Sequence, residues 1–261
     1  MIEAFSYMFK DNKFVQKATV YFIFLFIGNF FAQYTQIIAP QAGQLNNMSQ
    51  FLICILFAFL IGLIPVGYSY LCVKALMVQK DNYVLPFLNV WKCFVLGLKF
   101  MINMIALLFL FYSPFIVLAI IGFVLGMLGG KTAFAIAFVL IFMLYLIFSI
   151  AYLLLILIYT PVFNCIFSKK EWLTSFCRFI KATKLIKQDA GRYFTGIGVY
   201  VLTLIVYMII YGVFSFTVNI VLGTTITSAL LISLFTAILS SYLVFVYSYI
   251  VVAAVKHEMI E

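Results

Sequence analysis

Charge is what this sequence lacks. Only 9% of its 261 residues are charged, and seven of them are acidic. An ordinary soluble domain carries roughly 25% charged residues. A chain that is 67% hydrophobic cannot bury so much apolar surface in a soluble core of this size, so the excess must face lipid. Histidine is nearly missing too, with one residue, His257, in the tail beside Lys256 and Glu258. Asp and Glu occur only at Glu3, Asp11, Asp81, Glu171, Asp189, Glu258 and Glu261, outside the long apolar runs. There is no His-Glu-x-x-His, no carboxylate pair within a run and no phosphate-binding glycine loop. These absences count against an enzyme, against proton-coupled transport and against intramembrane proteolysis, which place ionisable groups inside the membrane. No motif calls for a cofactor or a metal. The five cysteines, Cys54, Cys72, Cys93, Cys165 and Cys177, form no C-x-x-C pair. They read as small buried apolar residues, with palmitoylation the functional alternative.

What is present is hydrophobic length. Ala18–Val73 and Tyr193–Val255 contain no charge, and Phe100–Ser168 contains one, Lys131. Each block is long enough for two spans of about 20 residues and a turn. The expected fold is all-α, a polytopic helical membrane bundle forming a single membrane domain over residues 1–261. Its six spans fall at about Ala18–Ile38, Phe51–Tyr70, Phe100–Gly122, Ala133–Tyr159, Phe194–Phe216 and Thr227–Val252. Turns are expected at Pro40–Gln50, Gly126–Thr132 and Asn219–Thr225. No cleavable signal is expected, because an amphipathic stretch, Ile2–Lys17, precedes the first span.

Fifteen of the sixteen Lys and Arg residues lie in segments that alternate to one side, and Lys131 alone lies on the other. The positive-inside rule then puts both termini in the cytoplasm. The net charge of +9 becomes an orientation signal, and nucleic-acid binding is not expected, since no compact basic domain exists to carry it.

The three blocks share a layout. A basic amphipathic segment precedes each pair of spans, at residues 2–17, 85–99 and 168–192. One reading is a pseudo-threefold repeat of three hairpins; the plainer one is a six-span protein with basic inner loops. In the third segment Ser168 and Glu171 have capping-box spacing. Trp172, Phe176, Phe179, Thr183 and Ile186 share one face of a helical wheel, opposite Lys170, Arg178, Lys181 and Lys184. That pattern builds an interfacial helix. Trp172, Phe176, Arg178, Phe179, Lys181, Lys184 and Arg192 are therefore candidates for facing anionic lipid headgroups, a membrane protein partner or a second copy. The bland alternative is a loop helix that only fixes orientation.

Polar residues within spans include Asn29, Asn103, Ser240 and Ser241, which could line a polar path or simply join helices by hydrogen bonds. Gly122 and Gly126 make one G-x-x-x-G. Pro114 should kink the third span, and Pro65 and Pro161 read as span exits.

The stretch Gly67–Phe100 carries Gly67-Tyr68, Lys74, Leu85-Pro86, Trp91, Phe94 and Gly97-Leu98-Lys99. It resembles a prokaryotic membrane family, domain of unknown function 4013, whose opening Ala4–Lys13 also resembles. Gly67, Tyr68, Leu85, Pro86, Gly97 and Lys99 are the motif positions. The acidic residue expected after the Leu-Pro is absent, with Asn89 the nearest polar position. The resemblance implies a multi-pass protein of a prokaryotic cytoplasmic membrane and carries no activity. Two functions stay open. One is a non-enzymatic protein that organises lipids or partners at the cytoplasmic face. The other is a permease or transporter subunit for a small or lipid-like substrate.

Overall fold

The computed structural model describes residues 9, 11–39, 45–78, 85–170 and 178–255. Seven helices run through them: α1 (Phe14–Ile38), α2 (Leu45–Val78), α3 (Val90–Leu128), α4 (Gly130–Lys170), α5 (Phe179–Gln188), α6 (Ala190–Leu222) and α7 (Ile226–Val255). No strand occurs among the described residues. Six of the helices are long and apolar enough to cross a membrane. In hydrocarbon every backbone N–H and C=O must be paired within the segment, so an apolar run stays helical for as long as it lasts.

That tendency lengthens the helices beyond the spans expected from charge alone. At 1.5 Å per residue the 41 residues of α4 reach about 61 Å, twice a hydrocarbon core of about 30 Å. Pro65 and Pro161 lie inside α2 and α4, so neither marks the end of a helix. Pro114 lies inside α3. Residues 45–50, expected in a loop, open α2; residues 40–44 lie outside the described residues. The expected Gly126–Thr132 loop shrinks to a turn at Gly129. Gly130 takes φ 75° there, a backbone state open to glycine at no steric cost. Gly223, with φ 65°, ends α6 and donates its N–H to the Asn219 carbonyl. Thr225 and Ser228 then cap α7 reciprocally, each hydroxyl accepting the other's backbone N–H at 2.9 and 3.2 Å.

Consecutive long helices pack as α1 on α2, α2 on α3, α3 on α4 and α6 on α7, and α7 also packs on α1 and α2. The core sits at one end of this bundle. It gathers Tyr68–Val73 of α2, Cys93 and Leu96 of α3, Val162–Phe167 of α4, Tyr193 of α6 and Phe245–Val255 of α7. This is the end where the basic segments lie. Large apolar side chains are mostly exposed over the far halves of α3, α4 and α6, as expected of surface that faces lipid. Gly122 accepts the Ile141 side chain against its Cα, bringing α3 close to α4 at that far end.

The basic segments follow other bounds than those drawn from sequence, and in the third a short separate helix, α5, spans only Phe179–Gln188. Most of 2–17 lies outside the described residues. Of 85–99, Leu85–Asn89 is non-helical, and Trp91, Phe94 and Leu98 already belong to α3. In 168–192, Ser168 is buried within α4 and so does not cap a following helix. The buried residues Val162, Phe163, Cys165, Ile166 and Phe167 carry α4 through it. The side chain that caps a helix in this segment is that of Asp189, whose Oδ1 accepts the Arg192 N–H at 3.2 Å at the start of α6; Arg178, the N-cap of α5, makes no such bond. Glu171, Trp172 and Phe176 lie outside the described residues.

Candidate functional site

The motif residues converge at the packed end. Gly67 of α2 faces Cys93 of α3 so closely that a Cβ would stand 1.8 Å from the Cys93 carbonyl oxygen. Gly97 of α3 faces Leu63 of α2 in the same way, with 2.1 Å from its Cβ position to the Leu63 oxygen. The pairs 63/67 and 93/97 are each four apart, so two antiparallel helices meet along one face, each lending one glycine. Small residues at this spacing let membrane helices approach backbone to backbone.

Leu85–Asn89, ahead of α3, is held on this clasp. The Tyr68 hydroxyl donates to the Pro86 carbonyl at 2.9 Å. Leu85 is fixed from the opposite direction by α1 and the turn before it. Its N–H donates to Asp11 Oδ2 at 2.9 Å, and its carbonyl accepts from Lys17 Nζ at 2.5 Å. Lys17 and Asp11 form an ion pair at 2.7 Å, with both side chains buried. Asp11 Oδ1 also accepts the Lys13 N–H at 2.9 Å. The Phe87 ring covers the Lys17 ammonium, 4.8 Å from its centroid. Burial by itself raises the Asp11 pKa; the hydrogen bonds from Lys17, Lys13 and Leu85 and the Lys17 charge overcome it and hold the carboxyl below its ordinary value. A buried ion pair is tolerable only when its remaining hydrogen-bonding capacity is met, and here two backbone N–H groups and one carbonyl meet it.

Aromatic rings wedge the clasp against α7. Tyr21 lies 4.9 Å from Tyr68 and 5.6 Å from Phe245, centroid to centroid. A second buried link joins α2, α4 and α7. Tyr70 donates to Asn164 Oδ1 at 3.0 Å, and Asn164 Nδ2 donates to the Tyr247 hydroxyl at 2.5 Å. Of the other motif positions, Lys99 is half-buried, and its carbonyl accepts from Asn103 Nδ2 at 2.9 Å.

The family description with this arrangement is "Protein of unknown function (DUF4013)", whose model matches residues 50–222. The chain belongs to this family. No curated protein and no solved structure matches it. The match runs from residue 50, within α2, to the end of α6 and covers Gly67, Tyr68, Leu85, Pro86 and Gly97, the residues that meet at the clasp. Asp11 and Lys17 lie outside the matched residues, as does α7, yet both sides of the family region are packed against them.

The four polar span residues do not share a site. Asn29 lines a cleft of about 330 Å³ between α1 and α2, with Val244 of α7 at its wall. Ser241 lines a second cleft, about 290 Å³, between α1 and α7. Asn103 is fully buried. Ser240 lies 3.1 Å from the Tyr207 hydroxyl. Neither of the last two lines either cleft.

On α5, Phe179 packs on α4, with ring centroids 5.4 Å from Tyr159 and 5.1 Å from Phe163. It faces protein and is withdrawn from lipid. Ala182 and Ile186 are buried beside it, and Thr183 lies within hydrogen-bonding distance of Tyr159 at 3.0 Å. Lys181, Lys184, Lys187 and Arg192 are exposed, and Arg178 is half-buried at the N-cap. Cys54, Cys72, Cys93 and Cys165 are buried; Cys177 lies outside the described residues. Sequence reading missed the Asp11–Lys17–Leu85 cluster and the Asn164 link. The one available signal was the placement of Asp11 and Lys17 at the mouth of a long uncharged run.

Proposed function

We propose that the chain is a non-enzymatic integral protein of the prokaryotic cytoplasmic membrane, with both termini inside, that gathers anionic lipids or a partner protein at the inner face. The observation that carries this reading is α5. One side of it is packed on α4 through Phe179, Ala182 and Ile186. The other side exposes Lys181, Lys184 and Lys187, with the Ile180 side chain 79% exposed beside them. Each basic residue near an anionic surface is worth about 1 kcal/mol, so three give roughly a hundredfold preference. The test uses the full chain in nanodiscs of mixed phosphatidylglycerol and phosphatidylcholine. The expected result is phosphatidylglycerol enriched around the protein, and lost in the Lys181→Gln/Lys184→Gln/Lys187→Gln variant. Equal lipid composition around both proteins ends the lipid reading.

A second reading, a permease or transporter subunit for a small or lipid-like substrate, draws support from the cleft beside Asn29. It calls for flux or lipid scrambling in proteoliposomes that Asn29→Leu abolishes.

A further inference from the structure

The cleft between α1 and α2 differs from the clasp beside it. Along α1 it runs from Tyr21 to Ala32, about 16 Å of helix, or roughly half a hydrocarbon core. No charged side chain lines it. Its lining includes the small residues Gly28, Ala58 and Gly62; Gly28 lies against α2, its Cβ position 3.7 Å from the Ile61 side chain.

Three features show that the cleft is built into the helices. The first is Gly62. A Cβ there would meet nothing within 4 Å, so this glycine does not serve close packing as Gly67 and Gly97 do. Glycine is a poor helix former, and what its missing side chain provides at this position is open space. The second is Asn29. Its Nδ2 is buried with no hydrogen-bond partner, in a span where Gln33 finds Tyr211 at 3.3 Å. A buried amide without a partner is costly. Pro65, on the opposite wall, adds a third element: it has no N–H for the Ile61 carbonyl one turn back.

We propose that this cleft binds an uncharged membrane-soluble molecule, a long hydrocarbon chain carrying one hydroxyl or carbonyl group, with Asn29 as the partner of that group. The carboxamide both donates and accepts, so either group fits. Asn29 lies twelve residues beyond Lys17, about 18 Å along the helix. A charged headgroup at that depth is expensive, which selects an uncharged polar group. The proposal needs α1 and α2 to sit in lipid and is independent of lipid gathering by α5.

The test is photolabelling of the full chain in nanodiscs with two diazirine probes, one a long-chain alcohol and one the matching alkane. Mass spectrometry maps the labelled residues. The expected result is alcohol labelling of 28–32 and 58–65 about threefold or more above the alkane, the equivalent of one membrane hydrogen bond. Asn29→Leu should remove that advantage while alkane labelling persists. Gly62→Phe should fill the cleft and remove both labels. The proposal is overturned if the two probes label the cleft alike, or if cleft labelling does not exceed that of Leu153, which is 66% exposed on α4. Should Gly62→Phe fail to fold, Asn29→Leu decides alone, since Leu and Asn are close in size.

Discussion

Gly67 and Cys93 touch through their backbones: no side chain larger than hydrogen fits at 67 while α2 and α3 keep their separation. Gly97 and Leu63 repeat the contact one turn away. Because the obstacle is a carbonyl in each case, it cannot swing aside as a side chain would. Gly67→Ala and Gly97→Ala should each destabilise the bundle by about 3 kcal/mol, the upper range for overpacking a core. Gly62→Ala, where a Cβ meets open space, should be neutral or stabilising by about 1 kcal/mol through helix propensity. Thermal unfolding in detergent, followed by circular dichroism, measures all three. Similar melting temperatures for Gly62→Ala and Gly67→Ala would refute the clasp.

The Asp11–Lys17 pair ties the start of α1 to the non-helical stretch before α3. Removing one partner leaves the other charge buried, so Asp11→Asn or Lys17→Met should cost about 3–5 kcal/mol. The double variant should cost less than the sum, because neither charge is stranded. A pH dependence follows with a definite sign. The Asp11 carboxyl is held below its ordinary value in the folded chain, and the unfolded carboxyl titrates near 3.9. The stabilisation is therefore full above about pH 5 and is lost as pH falls through the unfolded and then the folded value. Melting temperature measured from pH 6 to pH 3 should fall more for wild type than for Asp11→Asn. Parallel curves would assign the acid sensitivity to another group.

The turn at Gly130 offers a cleaner local test. Its φ of 75° is a conformation that L-residues with a Cβ adopt at a cost of about 1–2 kcal/mol, while nothing crowds the position. Gly130→Ala should therefore lower stability by about that amount. Gly191→Ala, which also meets open space and has no positive φ, should not. The comparison separates backbone strain from packing, and an equal response at the two sites would remove the strain argument.

The six long helices were legible because lipid imposes one solution on an uncharged run: keep every backbone bond inside the helix. Their ends were not, because the cue was the nearest charge or turn residue and the helices run past it. Ser168 shows why. Its spacing to Glu171 matches a capping box, but the apolar residues from Val162 to Phe167 are buried against α2 and α7, and that packing carries the helix on. Asp189, with no box around it, supplies the capping side chain. The resemblance singled out Gly67, Tyr68, Leu85, Pro86 and Gly97 without saying what they do. Their role depends on contacts between helices. Lys17 and Leu85, 68 residues apart, meet only once α1, α2 and α3 have packed. Local pattern carries no trace of that distance.

Orientation rests on Lys131 against the other fifteen basic residues, and accessibility labelling addresses it directly. In a background without other cysteines, Lys131→Cys and Lys187→Cys place single thiols at the two ends of the bundle. Lys131 follows the α3–α4 turn at Gly129–Gly130, and Lys187 is exposed in the last turn of α5. The two lie at opposite ends, because α5 packs on α4 at Tyr159 and Phe163, about 42 Å or more along α4 from Lys131. With both termini inside, a membrane-impermeant maleimide should modify Lys131→Cys in intact cells. It should reach Lys187→Cys only after the membrane is opened. The reverse pattern would turn the protein over and put the α5 lysines on the outer face, away from the anionic inner leaflet. Lipid gathering at the inner face would then fail, while the Asn29 cleft, near mid-bilayer from either side, would stand.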